Sequence, residues 1–299
     1  TQHLQHLRVD RRLAARTLAL YDDALKRLQR FAGDAGLGVR DVQIHRVRRW
    51  AAALHGQGLA PRSIALILSA WRGFYRRLGQ DGLVALNPAE SVRAPKIAQP
   101  LPKALSVDHA MALADAAPAE DESPALAARD QCIVELLYGC GLRVGELVGL
   151  DMMGSHQVDI QAGEANVLGK GSKERKVPVG SKALEALRRW LAVRAQGLKP
   201  GVAIEPALFI SARGTRMTAQ AVWKCVRRRS LQSGLATPVH PHMLRHSFAS
   251  HVLQSSSDLR AVQELLGHAN ITTTQVYTRL DFGHLSKVYD AAHPRAKRK

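Results

Sequence analysis

The sequence predicts a mainly α-helical protein with a small β-sheet, divided into an all-helical N-terminal domain and an α+β C-terminal domain. Apolar residues recur at helical spacing through the first ninety residues, and prolines then interrupt the pattern. Beyond residue 150, three short stretches alternate apolar and polar side chains. A length of 299 residues suffices for two domains of ordinary size.

Three helices are predicted in the N-terminal part, each bounded by residues that favour a helix end. The stretch RLAARTLALYDDALKRLQRFAGDAG has apolar positions at helical spacing and ends at Gly33–Gly36. The stretch DVQIHRVRRWAAALHGQG begins with Asp41 as its N-cap and stops at Gly56 or Gly58. The stretch PRSIALILSAWRGFYRRLGQDG carries Pro61 in its first turn.

The boundary between the domains is placed at the stretch APKIAQPLPKAL, where three prolines occur within eight residues without helical or strand periodicity. Because proline lacks an amide hydrogen and restricts the residue before it, such a stretch is typical of an extended linker. We therefore predict a helical domain over residues 1–94, a linker over 95–104 and a mixed domain over 105–299.

The C-terminal part mixes helices and strands. The stretch SPALAARDQCIVELLYGCGLRVGELVGL predicts a helix, a glycine break and a short second helix. The stretches HQVDI, EANVLG and ERKVPVG alternate as strands do, with glycines as turns. Helical spacing returns in five later segments, at Ser181–Gln196, Thr218–Ser233, Pro241–Gln254, Asp258–Leu266 and Thr272–Arg279.

The chain is strongly basic, with a formal net charge of +18 from 43 Lys and Arg against 25 Asp and Glu. The residues up to Arg93 and those after it each carry a net charge of +9. Such a balance predicts a polyanionic partner, and two basic halves suggest a protein that holds a duplex from two sides. A ribosomal or merely soluble basic protein is the alternative.

Five arginines of the N-terminal helices are predicted to contact phosphates: Arg46, Arg48, Arg49, Arg72 and Arg76. For any one of them alone, a solvated helix face is the alternative. Their number on one basic helical domain favours nucleic-acid contacts.

Several other protein classes are not indicated. The sequence has no apolar run of about 18 residues, as a membrane span requires, and no signal-peptide pattern at its start. It begins at Thr1 rather than Met, so a few preceding residues are expected to be missing. Cys132, Cys140 and Cys225 form no C-x-x-C pair, which predicts buried thiols in a reducing cytoplasm.

The motif YGCGLRVGEL places Arg143 after a glycine break and Glu146 three residues later. On a helix this spacing brings both side chains to one face, so the carboxylate is expected to hold the guanidinium group in one orientation. An ordinary surface ion pair is the alternative.

The motif LGKGSKERKVPV places Lys170 between two glycines at the expected tip of a hairpin. It does not match the nucleotide-binding pattern G-x-x-x-x-G-K-[ST], because Gly163 is one residue too far from Gly169. A lysine at such a tip is expected to reach a phosphate backbone, and Lys173 and Arg175 are predicted nucleic-acid contacts. A plain basic turn is the alternative.

The motif HPHMLRHSFASH places His242 and Arg245 three residues apart, on one face of a helix. Zinc is a competing interpretation, because His242 and His246 lie four residues apart. The zinc motif H-E-x-x-H fails, since Met243 stands where glutamate is needed and no carboxylate or cysteine lies nearby in sequence.

The motif LLGHANITTTQVYTRLD places His268 after a glycine and Tyr277 nine residues later, in a predicted short helix. Taken alone, Tyr277 is as compatible with a half-buried core tyrosine as with a functional one. The four motifs together carry more information than any one of them.

Together they supply what phosphoryl transfer to a tyrosine requires. Two arginines can bind the non-bridging oxygens of one phosphate and stabilise the extra charge of a pentavalent phosphorane. Tyrosine, with an ordinary pKa of about 10, needs a base or a strong positive field to become a nucleophile. A lysine can protonate a departing sugar oxygen, and histidines can move the nucleophile's proton. This chemistry needs no metal and no cofactor.

The order R…K…H-x-x-R…H…Y, carried by GLRVGEL, GKGSKER, HPHMLRHSFASH and LLGHANITTTQVYT, resembles the tyrosine recombinase family. The resemblance extends over essentially the whole chain, although the stretch DMMGSHQVDI departs from the usual family pattern. It implies a helical core-binding domain followed by a catalytic domain, together forming a C-shaped clamp around duplex DNA.

By this resemblance, Tyr277 attacks the scissile phosphate, forms a 3′-phosphotyrosyl link and frees a 5′-hydroxyl group. Arg143 and Arg245 would bind the phosphate, and Lys170 would be the general acid for the leaving oxygen. One ester bond is exchanged for another of similar energy, so the resemblance implies that neither ATP nor another cofactor is needed.

The resemblance also assigns roles to three further residues. His242 would assist proton transfer at the tyrosine, His268 would hydrogen-bond the phosphate, and Glu146 would orient Arg143. The chain end DFGHLSKVYDAAHPRAKRK would contact a neighbouring subunit, with a frayed basic end as the alternative.

The partners implied by the resemblance are a dif-like double-stranded DNA site, a XerD-type recombinase and an FtsK-type translocase. Two copies of each recombinase would form a cyclic heterotetramer that passes through a Holliday junction, in the cytoplasm and without membrane insertion. The task would be the resolution of chromosome dimers before cell division. A type IB topoisomerase and a DNA-binding protein without catalysis are the rival functions.

Overall fold

The computed structural model describes residues 2–11, 13, 15–95, 104–119, 122–169, 173–196, 205–267 and 282–296. The chain separates into two compact units, unit 1 over residues 1–100 and unit 2 over residues 101–299. The predicted division into domains at residues 95–104 stays a prediction, because most of that stretch lies outside the described residues.

Unit 1 contains four helices in its described part: α1 (Gln2–Val9), α2 (Ala15–Asp34), α3 (Ile44–Gly56) and α4 (Pro61–Gln80). The apolar faces of α2, α3 and α4 meet around the aromatic rings of Phe31, Trp50 and Trp71, with Phe31 stacked on Trp50 at 5.4 Å between ring centroids. The buried indole N–H of Trp71 donates to the carbonyl oxygen of Ala24 at 2.7 Å, which fixes α4 against α2.

Two features of unit 1 differ from the sequence prediction. Helix α1 was not predicted as a separate element, because its eight residues are too few to show periodicity. Helix α3 begins at Ile44 with Gln43 as its N-cap, so the predicted N-cap at Asp41 is wrong. The backbone N–H of Asp41 instead donates to the carbonyl oxygen of Gly38 at 3.0 Å, closing a turn before the helix.

Unit 2 is built around a central helix that is buried along most of its length. Its first helices are α5 (Val107–Asp115), the central α6 (Pro124–Gly139) and the short α7 (Val144–Val148). The later helices are α8 (Ser181–Val193), α9 (Ala219–Gln232), α10 (Pro241–Ser256), α11 (Leu259–Leu266) and α12 (Phe282–Ala292). Helix α6 contacts α5, α8, α9 and α10, so it joins the layers of this unit.

The helices of unit 2 follow the predicted segments closely. The predicted break between two helices is confirmed as the bend between α6 and α7. Helix α8 ends at Val193, three residues before the predicted end, and α5 and α12 were not predicted. The helix predicted over Thr272–Arg279 lies outside the described residues.

One antiparallel sheet completes unit 2, with strands β1 (Val158–Asp159), β2 (Glu164–Leu168) and β3 (Glu174–Pro178) in that order. Strand β1 is shorter than predicted, because the Asp159 carboxylate accepts the N–H groups of Gln161 and Ala162 and turns the chain. A mainly α-helical fold with a small sheet is confirmed. No helix in the described ranges is long and apolar enough to cross a membrane.

The described end of the chain packs against its own unit. Helix α12 contacts α10, α11 and β3, and the rings of Tyr289 and His293 stack at 5.4 Å. The Arg295 guanidinium group binds the Asp115 carboxylate at 2.8 and 3.0 Å and also binds Glu135. Contact of this end with a neighbouring subunit therefore stays a prediction.

The bend between α6 and α7 depends on Gly141, which has a φ of +60°. A Cβ atom at this position would lie 2.5 Å from Cδ1 of Phe248, a buried residue of α10. Glycine is required here for both its conformation and its size, because a side chain would clash with the core. The bend directs the chain into α7, at whose start Arg143 lies.

We expect Gly141→Ala to lower the free energy of unfolding by about 3 kcal/mol, from the left-handed conformation and the overpacked core together. Urea unfolding followed by circular dichroism measures this change. Gly145→Ala is the matched control, because Gly145 lies in α7 and a Cβ atom added to it would meet no other atom within 4 Å. An equal loss in both variants would contradict the assigned role of the bend.

Candidate active site

The carboxylate of Glu146 lies at the centre of a cluster of arginines in unit 2. Its side chain is only 3% exposed. It accepts hydrogen bonds from Nη1 of Arg143 and from the backbone N–H of the same residue, both at 2.8 Å. Nη1 and Nη2 of Arg175 donate to its two oxygens at 2.6 and 3.0 Å. The predicted pairing of Glu146 with Arg143 is thus present, and a second arginine shares the carboxylate.

Burial of the Glu146 carboxyl group opposes its ionisation. The hydrogen bonds and the positive charge of Arg175, together with the hydrogen bonds of Arg143, outweigh that effect, so the pKa of Glu146 lies below its ordinary value. Glu146 is therefore ionised at neutral pH, as its two guanidinium partners require.

Arg245 reaches the same cluster from the first half of α10 and is 8% exposed. Its Nη1 donates to the carbonyl oxygen of Gly141 at 2.5 Å, and its Nη2 donates to that of Leu266. Burial, the charge of Arg143 and that of Arg175 lower the pKa of Arg245 to about 9, although Glu146 acts in the opposite direction. Arg245 remains protonated at neutral pH.

The three arginines meet at the C-terminal end of α11. Nη2 of Arg143 donates to the carbonyl oxygen of Gly267 at 3.1 Å, and Nε of Arg175 donates to that of Leu265 at 3.3 Å. With the bond from Arg245 to Leu266, three successive carbonyls at the helix end are bound by guanidinium groups. Helix ends carry such unpaired carbonyls and a partial negative charge, so cations are favoured there.

The charge balance of the cluster favours an anion. Three guanidinium groups share one carboxylate, which leaves a net charge of about +2 in a largely buried region. Arg143 is 30% exposed and therefore accessible to a ligand. A phosphodiester carries one negative charge and two non-bridging oxygens, so Arg143 and Arg245 together suit it in charge and geometry.

Two histidines near the start of α10 lie on its exposed side, whereas His251 of the same helix is buried. His242 and His246 are exposed, and His240 caps the helix through its Nδ1, which accepts the backbone N–H of Met243 at 3.3 Å. The ring of His240 also stacks on Trp223 at 4.9 Å. Over the described ranges, no group of three or more His, Cys, Asp and Glu side chains is arranged to hold a metal ion.

Three of the predicted site residues lie outside the described residues: Lys170, His268 and Tyr277. In the sequence, Lys170 lies between β2 and β3, and His268 directly follows Gly267, the C-cap of α11. Lys173 is exposed just before β3. Arg143, Glu146 and Arg245 are thus brought together, and the placement of the other three stays a prediction.

Arg175 lies in the cluster and not among the exposed cations. Its side chain is 14% exposed, and its guanidinium group is engaged by Glu146 and Leu265. This placement suits a positioning role better than the nucleic-acid contact that the sequence predicted. The strand alternation could have indicated it, because Arg175 shares a face with the buried Val177, two residues further along β3.

The predicted arginines of unit 1 differ in their surroundings. Arg48 and Arg49 are exposed on α3 and, within the described residues, form no ion pair, and Arg46 is half-buried. Arg76 binds Glu90 at 3.3 Å, and Nε of Arg72 donates to a carbonyl of its own helix. A groove of about 470 Å³ is lined by Arg48 and by residues that sequence reasoning did not single out, among them His55, Ser91 and Arg93.

Comparison with known proteins identifies the family. A sequence profile described as the phage integrase family matches residues 103–284, and one described as the phage integrase N-terminal SAM-like domain matches residues 1–82. Tyrosine recombinase XerC 1 of Ralstonia nicotianae is 52% identical over 312 residues, covering 99% of this chain and 93% of that protein. The chain belongs to the tyrosine recombinase family.

A second relative of the same kind is tyrosine recombinase XerC of Alcanivorax borkumensis. It is 47% identical over 296 residues, which cover 99% of this chain and 94% of that protein. The predicted function is thereby confirmed at the level of the family. The chain is a XerC-like tyrosine recombinase, an enzyme that cuts and rejoins DNA.

Solved structures of recombinases share the fold. XerH bound to its difH substrate before cleavage matches with a TM-score of 0.66 at 23% identity, over 90% of this chain and 78% of that one. A lambda integrase dimer bound to a COC′ core site matches with a TM-score of 0.64 at 21% identity, over 94% and 98% of the two chains.

We expect Glu146→Gln to lower the free energy of unfolding by about 3 kcal/mol, because it leaves three buried or half-buried guanidinium groups without their shared counter-charge. Urea unfolding measures the loss. Glu164→Gln is the matched control, since Glu164 binds the exposed Lys176 at 2.8 Å and should contribute less than about 1 kcal/mol. Similar losses in the two variants would contradict the central role of Glu146.

We also expect the difference between the wild type and Glu146→Gln to depend on pH. The pKa of Glu146 is lowered in the folded state, so the unfolded chain binds more protons between the folded and the ordinary pKa. The stabilisation is complete above the ordinary value, about 4.3, and is lost as the pH falls through the folded value. Unfolding curves across this range should converge toward acid pH; a constant difference would contradict the ion-pair explanation.

Proposed function

We propose that this chain is a site-specific recombinase that cleaves DNA through Tyr277, with Arg143 and Arg245 binding the scissile phosphate. The observation that supports this most directly is that Arg143 and Arg245 lie within 4 Å of one carboxylate, that of Glu146. The cluster carries a net positive charge, and Arg143 is 30% exposed. The chain continues from this cluster into the segment that contains His268 and Tyr277.

In the proposed reaction, the hydroxyl oxygen of Tyr277 attacks phosphorus, and the bond from phosphorus to the 5′ oxygen breaks. The products are a 3′-phosphotyrosyl link and a free 5′-hydroxyl group, whose proton comes from Lys170. Arg143 and Arg245 stabilise the additional negative charge of the phosphorane, because their positions are fixed before the charge develops. The reverse attack by a 5′-hydroxyl group rejoins the strand.

The two histidines complete the proposal. His242 lies in the first turn of α10, three residues before Arg245, and is exposed, so it is accessible to a substrate. We assign it proton transfer at the tyrosine, and we assign His268 a hydrogen bond to the phosphate. No cofactor takes part, since the cations are side chains.

Binding of DNA is proposed for both units, each of which is basic. The arginines of α3 and α4 would contact phosphates, with Arg48 and Arg49 better placed than Arg76, which already binds Glu90. Lys173 would contribute from the sheet. The clamp arrangement of the two units stays a prediction.

The relatives named XerC and the structure of XerH with difH suggest the biological setting. We propose that the chain acts in the cytoplasm at a dif-like site, beside a XerD-type recombinase in a tetramer with two copies of each. An FtsK-type translocase would provide the external control. The outcome would be the resolution of chromosome dimers before cell division.

We expect the wild-type protein to form a covalent adduct on a nicked dif-like duplex, and Tyr277→Phe to form none while binding the same DNA with similar affinity. A denaturing gel detects the adduct, and labelling of each strand end shows whether the link is 3′. Adding a XerD-type partner tests for dependence on it. Specific binding without an adduct in any condition would contradict the proposal. Relaxation of supercoils without recombination would indicate a topoisomerase instead.

We expect DNA affinity to fall steeply with salt, and Arg48→Ala and Arg49→Ala each to reduce the slope of log affinity against log salt by about one. Fluorescence anisotropy at several salt concentrations measures the slopes. Arg27→Ala is the control, because Arg27 binds Asp23 at 2.9 Å on another helix of unit 1. Unchanged slopes for Arg48→Ala and Arg49→Ala would exclude the two arginines from the interface.

A further inference from the structure

We propose that Arg175 is a positioning residue for DNA cleavage, which holds Glu146 and the end of α11 in place and does not itself contact DNA. The inference rests on the proposed function, because it concerns the arrangement of Arg143 and of the end of α11, after which the sequence continues to Tyr277. It replaces the nucleic-acid contact that the sequence predicted for Arg175.

The first argument is the geometry of the Arg175–Glu146 contact. Two parallel bonds of 2.6 and 3.0 Å join the planar guanidinium group to both carboxylate oxygens. Such a bidentate contact fixes the rotation of the carboxylate, which a single bond does not. The orientation of Glu146 in turn fixes Arg143, whose Nη1 and backbone N–H bind the same two oxygens.

The second argument is the contact with α11. Nε of Arg175 donates to the carbonyl oxygen of Leu265 at 3.3 Å. A Cβ atom on Gly267 would lie 3.0 Å from Cδ of Arg175, so the stem of the side chain packs directly against this helix end. One residue of β3 therefore joins the carboxylate that orients Arg143 to the point from which the chain continues to His268.

The third argument is that every nitrogen of the Arg175 guanidinium group is engaged. Its Nε, Nη1 and Nη2 all donate to protein acceptors, the carbonyl oxygen of Leu265 and the carboxylate of Glu146, and the side chain is 14% exposed. In Arg143 and Arg245, among the hydrogen bonds of the described residues, only Nη1 and Nη2 donate to protein acceptors. Arg175 is thus a residue that supports the phosphate-binding Arg143 and is not itself a phosphate-binding residue.

Arg175→Lys tests the inference, because lysine keeps the charge and loses the planar fork. At saturating nicked DNA, we expect the rate of adduct formation to fall by about 10- to 100-fold, as misplacement of a reacting group by about 1 Å would cause. The dissociation constant should stay within about twofold, and the salt slope should not change. This separation of rate from affinity distinguishes positioning from binding.

Arg194→Lys is the matched control. Arg194 also binds backbone carbonyls with its guanidinium group, those of Glu205, Ala207 and Leu208, and it takes no part in the Glu146 cluster. We expect a comparable loss of stability and an unchanged rate of adduct formation. Equal reductions of the rate in both variants would show a general structural effect and overturn the inference.

Combining Arg175→Lys with Glu146→Gln in one variant tests whether Arg175 acts through Glu146. If Arg175 acts through Glu146, the double variant should form adduct no more slowly than the slower single variant. If Arg175 binds a phosphate instead, the two reductions should multiply, and Arg175→Gln should lower the salt slope by about one. Either of those results would overturn the inference.

Two further measurements test the inference if the wild type forms no adduct or if Arg175→Lys does not fold. If the wild type forms no adduct, the proposed function fails. Urea unfolding of the wild type, Arg175→Lys, Glu146→Gln and the double variant still decides whether Arg175 and Glu146 are energetically coupled. Additive unfolding effects would then overturn the inference. If Arg175→Lys does not fold, Gly267→Ala displaces the Arg175 side chain without removing it, and an unchanged rate of adduct formation would contradict the role.

Discussion

The ion pair between the buried carboxylate of Glu146 and two guanidinium groups is the contact on which the candidate site depends. A carboxyl group this buried stays ionised only when it is paired and hydrogen-bonded, so its partners must stay in place. Arg143 is thereby oriented before any ligand arrives. The cost of ordering a flexible side chain is met during folding and not during binding or reaction.

The fold brings the three arginines of this cluster together from distant parts of the sequence. Arg143 follows the bend after α6, Arg175 lies on β3, and Arg245 lies on α10. Each of these elements packs on the apolar core of unit 2, whose central helix is buried along most of its length. The separation between the guanidinium groups is therefore set by core packing, and a change in core volume would alter it.

Much of this could be predicted from the sequence, for identifiable reasons. The long amphipathic helices and the pairing of Arg143 with Glu146 depend on spacing within one element, which the sequence displays directly. Asp41 was mistaken for a cap because a turn competes for its backbone. The contacts of Arg175 with Glu146 and Leu265 could not be predicted, because the register of β3 depends on β2. The sequence could not indicate that the main-chain carbonyl groups at the end of α11 bind these arginines, since every residue has a carbonyl group.

Those acceptors have a consequence for how the enzyme tolerates change during evolution. The carbonyls of Gly141, Leu265, Leu266 and Gly267 belong to the main chain, so no side-chain substitution removes them. The hydrogen bonds from the arginines to these carbonyl groups therefore place little constraint on which amino acids occur at these positions. Such a constraint becomes visible only at Gly141 and Gly267, whose positive φ angles direct the chain at these points. A deep mutational scan would therefore find that Gly141 and Gly267 tolerate no side chain, whereas the buried Leu265 and Leu266 tolerate only other apolar side chains. The carbonyl groups of all four residues nevertheless bind the same arginines.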